Sequence, residues 1–208
     1  MTRSQGSDIM RVLFAHGFEG GPDGSKPTYM RDVLGWDVTS PVMSDLGWSI
    51  EDQTEVLLKL IDNGEYDLVI GSSMGGLAAA NASGMREDLA FKMVLIAPAF
   101  GLYNSWENLT EEELDSWREE GIRRYSGFEL EIDLGWDFME AARRMSWPEI
   151  KHRTTIIHGS KDDVVPLEVS QRVSEGSDLV DLVVIDDGHR MKECLSQLAD
   201  IASSLMSC

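Results

Sequence analysis

The sequence predicts an α/β protein, a mainly parallel sheet flanked by helices, and two observations carry that expectation. Short apolar runs alternate along the chain with stretches of helical period, the pattern of successive βαβ units. Several runs are nearly continuous in Val, Ile and Leu, as strands buried on both faces must be. The runs occupy residues 10–15, 37–41, 66–71, 91–97, 154–158 and 179–185. Helices are expected at 26–34, 50–62, 74–83, 167–174 and 191–206. The last spaces Met191, Leu195, Leu198, Ile201, Ala202 and Leu205 so that one face would lie on the sheet.

One stretch departs from this alternation. Between Pro98 and Trp147 there is no buried-strand run, yet four of the six tryptophans fall there: Trp106, Trp117, Trp136 and Trp147. Thr110 and Glu113 form a capping-box pattern opening a short acidic helix that Gly121 can close. Phe128, Leu130, Ile132 and Leu134 alternate with Glu129, Glu131 and Asp133, which predicts a half-buried strand. Ser126-Gly127 ahead of it predicts a tight turn, hence a hairpin. Residues 137–145 read as helix. Residues 1–208 are thus expected to form a single domain, with a helix–hairpin–helix cap inserted at about 99–147.

A chain of 208 residues can bury a full core, hiding roughly 70% of its unfolded surface. The formal charge of −19 repels phosphate backbones and anionic lipid, so neither nucleic acid nor a membrane is expected as partner. Six lysines among eighteen basic residues, with this acidity, fit a salt-adapted protein and equally an ordinary acidic enzyme. No run approaches ~18 apolar residues, and residues 1–11 hold no apolar signal core, so a cytoplasmic location is expected. Cys194 and Cys208 belong to no CxxC pair and read as unpaired thiols. No HExxH or His/Cys cluster implies a metal, and no cofactor is implied. The loop Gly20–Lys26 lacks GxxxxGK[ST] and reads as a turn entering the first helix, not a phosphate cradle.

The chemistry centres on Gly71-Ser72-Ser73-Met74-Gly75, a GxSxG directly after a buried strand and directly before an Ala-rich helix. A serine at that junction sits on a sharp turn, and only small flanking residues let strand and helix approach closely enough. Serine needs a base, itself oriented by a third group. Of the four histidines, His152 lies in a polar stretch and is expected at the surface. His158 ends a strand and reads as a buried, hydrogen-bonded imidazole, and His16 ends another. His189, in Asp186-Asp187-Gly188-His189, follows the last strand and so lies at the same sheet edge as Ser73. For the acid, Asp162 and Asp163 both follow a strand at that edge.

In His158-Gly159-x-x-Asp162-x-x-Val165-Pro166, and in the order Ser, Asp, His, the chain resembles the α/β-hydrolase family over nearly its whole length. The layout HGF…GSSMGG…GxxDxxVP…GH is most similar to small bacterial carboxylesterases. Residues 156–191 and Arg124-Tyr125-Ser126 also resemble the group of palmitoyl-protein thioesterases and acyl-glucuronide esterases. The resemblance implies the α/β-hydrolase fold without its two leading antiparallel strands, leaving six parallel strands in the order 2-1-3-4-5-6. It picks Asp162 over Asp163 as acid, and the backbone N–H groups of Met74 and Phe18 as oxyanion donors. Glu19 stands beside the Phe18 loop and is expected to face solvent or the glycine-rich loop. Trp106, Trp117 and Trp136 either wall a substrate pocket or simply pack the cap. The implied function is ester hydrolysis through an acyl-enzyme by a monomer or homodimer acting on a small ester or thioester. An acyl-thioesterase or acylglycerol lipase would use the same three residues, and a non-catalytic ligand-binding protein could keep the fold.

Overall fold

The computed structural model of the chain describes residues 9–106, 109–127 and 130–207. Strand β1 (Arg11–Ala15) leads through α1 (Ser25–Asp32) to β2 (Asp37–Thr39), and α2 (Ile50–Asn63) leads to β3 (Leu68–Ser72). Then come α3 (Met74–Met85) and β4 (Lys92–Ile96). The segment expected to form the cap holds α4 (Glu111–Glu120), β5 (Ile122–Gly127), β6 (Leu130–Gly135) and α5 (Asp137–Met145). The chain returns as β7 (Thr154–Gly159), α6 (Leu167–Glu175), β8 (Val180–Ile185) and α7 (Leu198–Ser207). Six strands form one parallel sheet in the order β2-β1-β3-β4-β7-β8, which is 2-1-3-4-5-6 when only its own strands are counted.

Alternation along the central strands divides the core in two. Leu13 and Ala15 of β1, with Met93 and Leu95 of β4, face the side covered by α2, α3 and α5. Val12, Phe14, Val94 and Ile96 face the other side, which α7 covers with Leu198, Ala202 and Leu205. Side chains of successive residues point to opposite faces of a strand, so a strand covered on both faces is apolar throughout. α3 is the central helix, buried from Met74 to Ser83. Its small residues let it lie close to the sheet: a Cβ on Gly75 would collide with the carbonyl oxygens of Ala15 and His16.

The capping signals of α4 hold to the residue. Thr110 and Glu113 form the reciprocal capping box of α4, and Gly121 closes the helix in the left-handed conformation at φ 74°. In the hairpin, Gly127 pairs with Leu130, so Ser126 and Gly127 are the last residues of β5, not the turn. Phe128 lies outside the described residues. The last predicted helix also divides. Met191 is left-handed (φ 50°), which stops a right-handed helix from starting there. The Asp187 carboxylate takes up the Glu193 amide at 2.7 Å, a 3₁₀ turn spans Glu193–Gln197, and the α-helix begins at Leu198. His152 is buried rather than at the surface. Its ring stacks on Phe91, Nδ1 accepts from the Ser83 hydroxyl at 2.7 Å, and Nε2–H donates to the Leu89 carbonyl. Cys194 is buried and unpaired, and burial pushes its thiol up to about 11. Among the described residues no helix is long and apolar enough to cross a membrane.

Gly75→Ala is expected to cost about 3 kcal/mol, because backbone on both sides blocks relaxation. Urea unfolding of the variant beside the wild type measures it, and a loss below about 1 kcal/mol would mean that α3 can shift away from β1.

Candidate active site

In the order β2-β1-β3, the chain leaves β1 toward one edge and β3 toward the other. The crevice at the carboxyl ends of these two strands is the switch point where open α/β sheets place their sites. Ser73 stands there with φ 54° and ψ −119°, a conformation that costs on the order of 1–3 kcal/mol for a residue with a side chain. The surrounding backbone holds it. The Ser73 N–H donates to Ile96 at 2.9 Å, and its carbonyl accepts from Gly76, Leu77 and Ala99. A Cβ at Gly71 would strike the backbone of Gly75 and Gly76, so the turn can close this tightly only with glycine there.

His189 Nε2 lies 3.1 Å from Ser73 Oγ, and its Nδ1 lies 3.1 and 2.9 Å from the two oxygens of Asp162. The acceptor at Asp162 places the ring proton on Nδ1, leaving Nε2 to accept the serine hydroxyl. Asp162 has a fully buried side chain, whereas Asp163 is exposed. The two loops are tied by backbone. Ser160 N–H donates to Ile185, Lys161 N–H donates to Asp187, and Gly159 lacks the Cβ that would strike the Asp187 carbonyl. Lys26 of α1 donates to the carbonyl of Arg190, directly after His189, at 2.9 Å.

Burial pushes the Asp162 carboxyl up, but donors outweigh it and hold the group well below the usual carboxylate range. Those donors are His158, His189 and the amides of Val165 and Val164. His158 is the buried, bonded imidazole expected: Nε2–H donates to Val165 O at 3.0 Å, and Nδ1 accepts from Ser170 Oγ at 2.7 Å. Its Nε2 also stands 3.3 Å from Asp162, a contact that the sequence reading did not anticipate. The tight pattern from His158 to Pro166 was its one signal.

Phe18 follows β1 on the same edge. Gly17 beside it lies against Ser73, since a Cβ there would come within 3.2 Å of the serine Cβ. His16 anchors the loop by donating to Gly17 O and accepting the Met43 amide at 3.1 Å, and burial pushes its pKa down. Met74 opens α3, with its amide among the first N–H groups of the helix, which have no intrahelical acceptor. Glu19 is exposed, as expected of a side chain facing solvent, and it also accepts the Tyr125 hydroxyl from the cap at 2.8 Å.

Three of the four cap tryptophans, Trp106, Trp117 and Trp136, meet in one aromatic cluster. Trp117 is 2% exposed, touches Trp106, Trp136 and Phe138, and donates its ring N–H to Leu134 O, so it packs the cap. Trp136 borders a cavity of about 300 Å³ together with Tyr103, Arg118 and Met139, a cavity that none of Ser73, Asp162 and His189 lines. Trp106 stands edge-on to Phe138, which in turn packs edge-on to Phe18. Among the described residues no cluster of three or more His, Cys, Asp or Glu is arranged to hold a metal.

The six parallel strands in the order β2-β1-β3-β4-β7-β8, with helices on both faces, form the α/β-hydrolase fold. Solved structures agree. Alpha/beta hydrolase domain-containing protein 10 from mouse is similar at TM-score 0.78 and 19% identity, over 95% of this chain and 89% of that one. Est1E from Butyrivibrio proteoclasticus, with ferulic acid bound, is similar at TM-score 0.77 and 18% identity, over 95% and 88%. A monoacylglycerol lipase from Paleococcus ferrophilus is similar at TM-score 0.64 and 20% identity, over 95% and 94%. No curated protein matches the sequence. Residues 11–205 match the family described as "Uncharacterised protein family (UPF0227)", and the chain belongs to that family.

The depressed folded-state pKa of Asp162 gives a pH prediction. Its contribution to stability is present above the unfolded value of about 3.9 and is lost as pH falls toward the lower folded value. Asp162→Asn should therefore flatten the acid limb of stability, measured as urea midpoints between about pH 6 and 2. An acid limb as steep as that of the wild type would show that other carboxyls set it.

Proposed function

We propose that the chain is a serine hydrolase cleaving carboxylic esters through an acyl-enzyme intermediate. The hydrogen-bonded series Ser73 Oγ–His189–Asp162 is the observation that carries this proposal. His189 Nε2 takes the hydroxyl proton as Ser73 Oγ attacks the ester carbonyl carbon. The carbonyl oxygen gains the charge and rests on the Phe18 and Met74 amides, each worth ~3–4 kcal/mol to the transition state. His189 then passes the proton to the leaving alcohol. In the second half His189 draws a proton from water, which attacks the acyl carbon, and Ser73 leaves with the proton restored. Asp162 keeps the ring in one tautomer and balances the imidazolium, which its ionised state at neutral pH allows.

Thioester or acylglycerol cleavage would run through the same atoms. The charge of −19 weighs against polyanionic thioesters such as acyl-coenzyme A, whose approach it opposes, and favours neutral or cationic esters. The cap tryptophans support no particular acyl group, since Trp117 is buried and Trp136 borders a separate cavity.

A fluorophosphonate probe should label the wild type and not Ser73→Ala; an unlabelled wild type would sink the proposal. With a short p-nitrophenyl ester, Asp162→Asn should lower kcat by about 10⁴-fold through the wrong tautomer. Asp163→Asn should stay within about twofold, as an exposed group away from the imidazole. Equal losses in the two variants would remove Asp162 from the role.

A further inference from the structure

Tyr125 of β5 reaches across from the cap and grips two consecutive residues of the loop that follows β1. Its ring stands edge-on to Phe18, with centroids 5.1 Å apart. Its hydroxyl donates to Oε1 of Glu19 at 2.8 Å. The chain approaches closely here: a Cβ on Gly127 would crowd both the Tyr125 hydroxyl and the Glu19 carboxylate. The described hairpin residues otherwise bond within the cap, with Arg123 to Glu113, Arg124 to Glu131 and Asp133, and the Leu134 carbonyl to Trp117. Phe18 is held from two further sides, by Trp48 at 5.2 Å and by Phe138 at 6.0 Å.

We infer that Tyr125 is a positioning residue for the Phe18 amide, clasping Phe18 and Glu19 so that the N–H is aimed and the carboxylate is kept aside. The inference rests on the oxyanion role proposed above for Phe18. An oxyanion donor works only if it points at where the charge develops before the reaction begins. The loop bearing Phe18 has modest means of its own to ensure this, a turn closed by Gly20 N–H on Gly17 O at 2.9 Å and the His16 bonds to Gly17 and Met43. Glu19 adds a like charge that would oppose the oxyanion if it swung inward. The Tyr125 bond fixes that carboxylate outward on the cap side and spreads its charge into the phenol. Burial, then Glu19 itself, push Tyr125 up to about 12, so it remains a donor at neutral pH. Through this clasp the cap, inserted between β4 and β7, takes part in the chemistry at the sheet edge.

The test compares Tyr125→Phe, Glu19→Ala, the double variant and Glu19→Gln on a short p-nitrophenyl ester, with active sites counted by fluorophosphonate titration. Tyr125→Phe should lower kcat about tenfold with KM nearly unchanged, as a donor displaced by a fraction of an ångström would. Glu19→Ala should match it, and the double variant should be no worse than either single one. Glu19→Gln keeps an acceptor for the hydroxyl and should retain kcat. Affinity for a trifluoromethyl ketone, which forms a hemiketal oxyanion on Ser73, should fall by the same factor as kcat/KM. A merely structural Tyr125 would lower the thermal midpoint and leave inhibitor affinity per active site in place. Unchanged kcat and inhibitor affinity in a Tyr125→Phe enzyme that still labels would overturn this inference alone. Losses that multiply between Tyr125→Phe and Glu19→Ala would do the same. A wild type that neither labels nor turns over would overturn the ester hydrolase proposal with it.

Discussion

Where β3 meets α3, Gly71 packs directly on the backbone of Gly75 and Gly76, and no side chain fits between them. That contact forces Ser73 into a left-handed conformation, which its neighbours then hold with four backbone hydrogen bonds. The strain costs on the order of 1–3 kcal/mol and is offset by the burial of α3, apolar nearly all round and covered by sheet and helices alike. The consequence is geometric. The hydroxyl leaves the turn on the open side of the sheet, with the first amides of α3 beside it and Gly17 against its Cβ. Every other part of the site is arranged around that one fixed atom.

The second constraint is electrostatic. A carboxylate with no exposed surface is unstable unless its oxygens are satisfied, and Asp162 has two imidazoles and two amides within reach. These partners come from three separate places: the end of β7, the loop holding Val164 and Val165, and the loop after β8. Satisfying the charge therefore draws the strand ends together, and backbone bonds between the two loops make the approach permanent. Lys26 extends the bracing to α1 by holding the Arg190 carbonyl. Folding energy and imidazole orientation thus come from the same bonds.

The cap adds aromatic mass, and the cavity that Trp136 borders there is one that none of Ser73, Asp162 and His189 lines. Trp106, Trp117, Trp136 and Phe138 pack on one another, and Phe138 and Tyr125 carry that packing to Phe18. A chain with so acidic a surface gains little from further charge in this region. Its Arg123 and Arg124 are already committed to Glu113, Glu131 and Asp133.

The sequence by itself determined the parallel sheet and its six strands, because buried parallel strands leave continuous apolar runs and short-range signals such as the Thr110–Glu113 box act within a few residues. The order of the strands came from the family likeness and not from the runs. It also marked Ser73 and His189, whose chemistry is inseparable from their position after a strand. It narrowed the acid only to adjacent carboxylates plus a family likeness, since Asp162 and Asp163 differ in side-chain direction and not in composition. Tertiary structure turned Asp162 toward His189, buried His152, broke the last helix at Met191 and set Glu19 against Tyr125. Each of these depends on a partner 27 or more residues away in the chain or on a backbone dihedral, and neither leaves a periodic trace. The Trp-rich segment was legible as a break in the strand–helix alternation, but whether a given indole meets solvent, substrate or another ring is decided by packing density, which only the folded chain possesses.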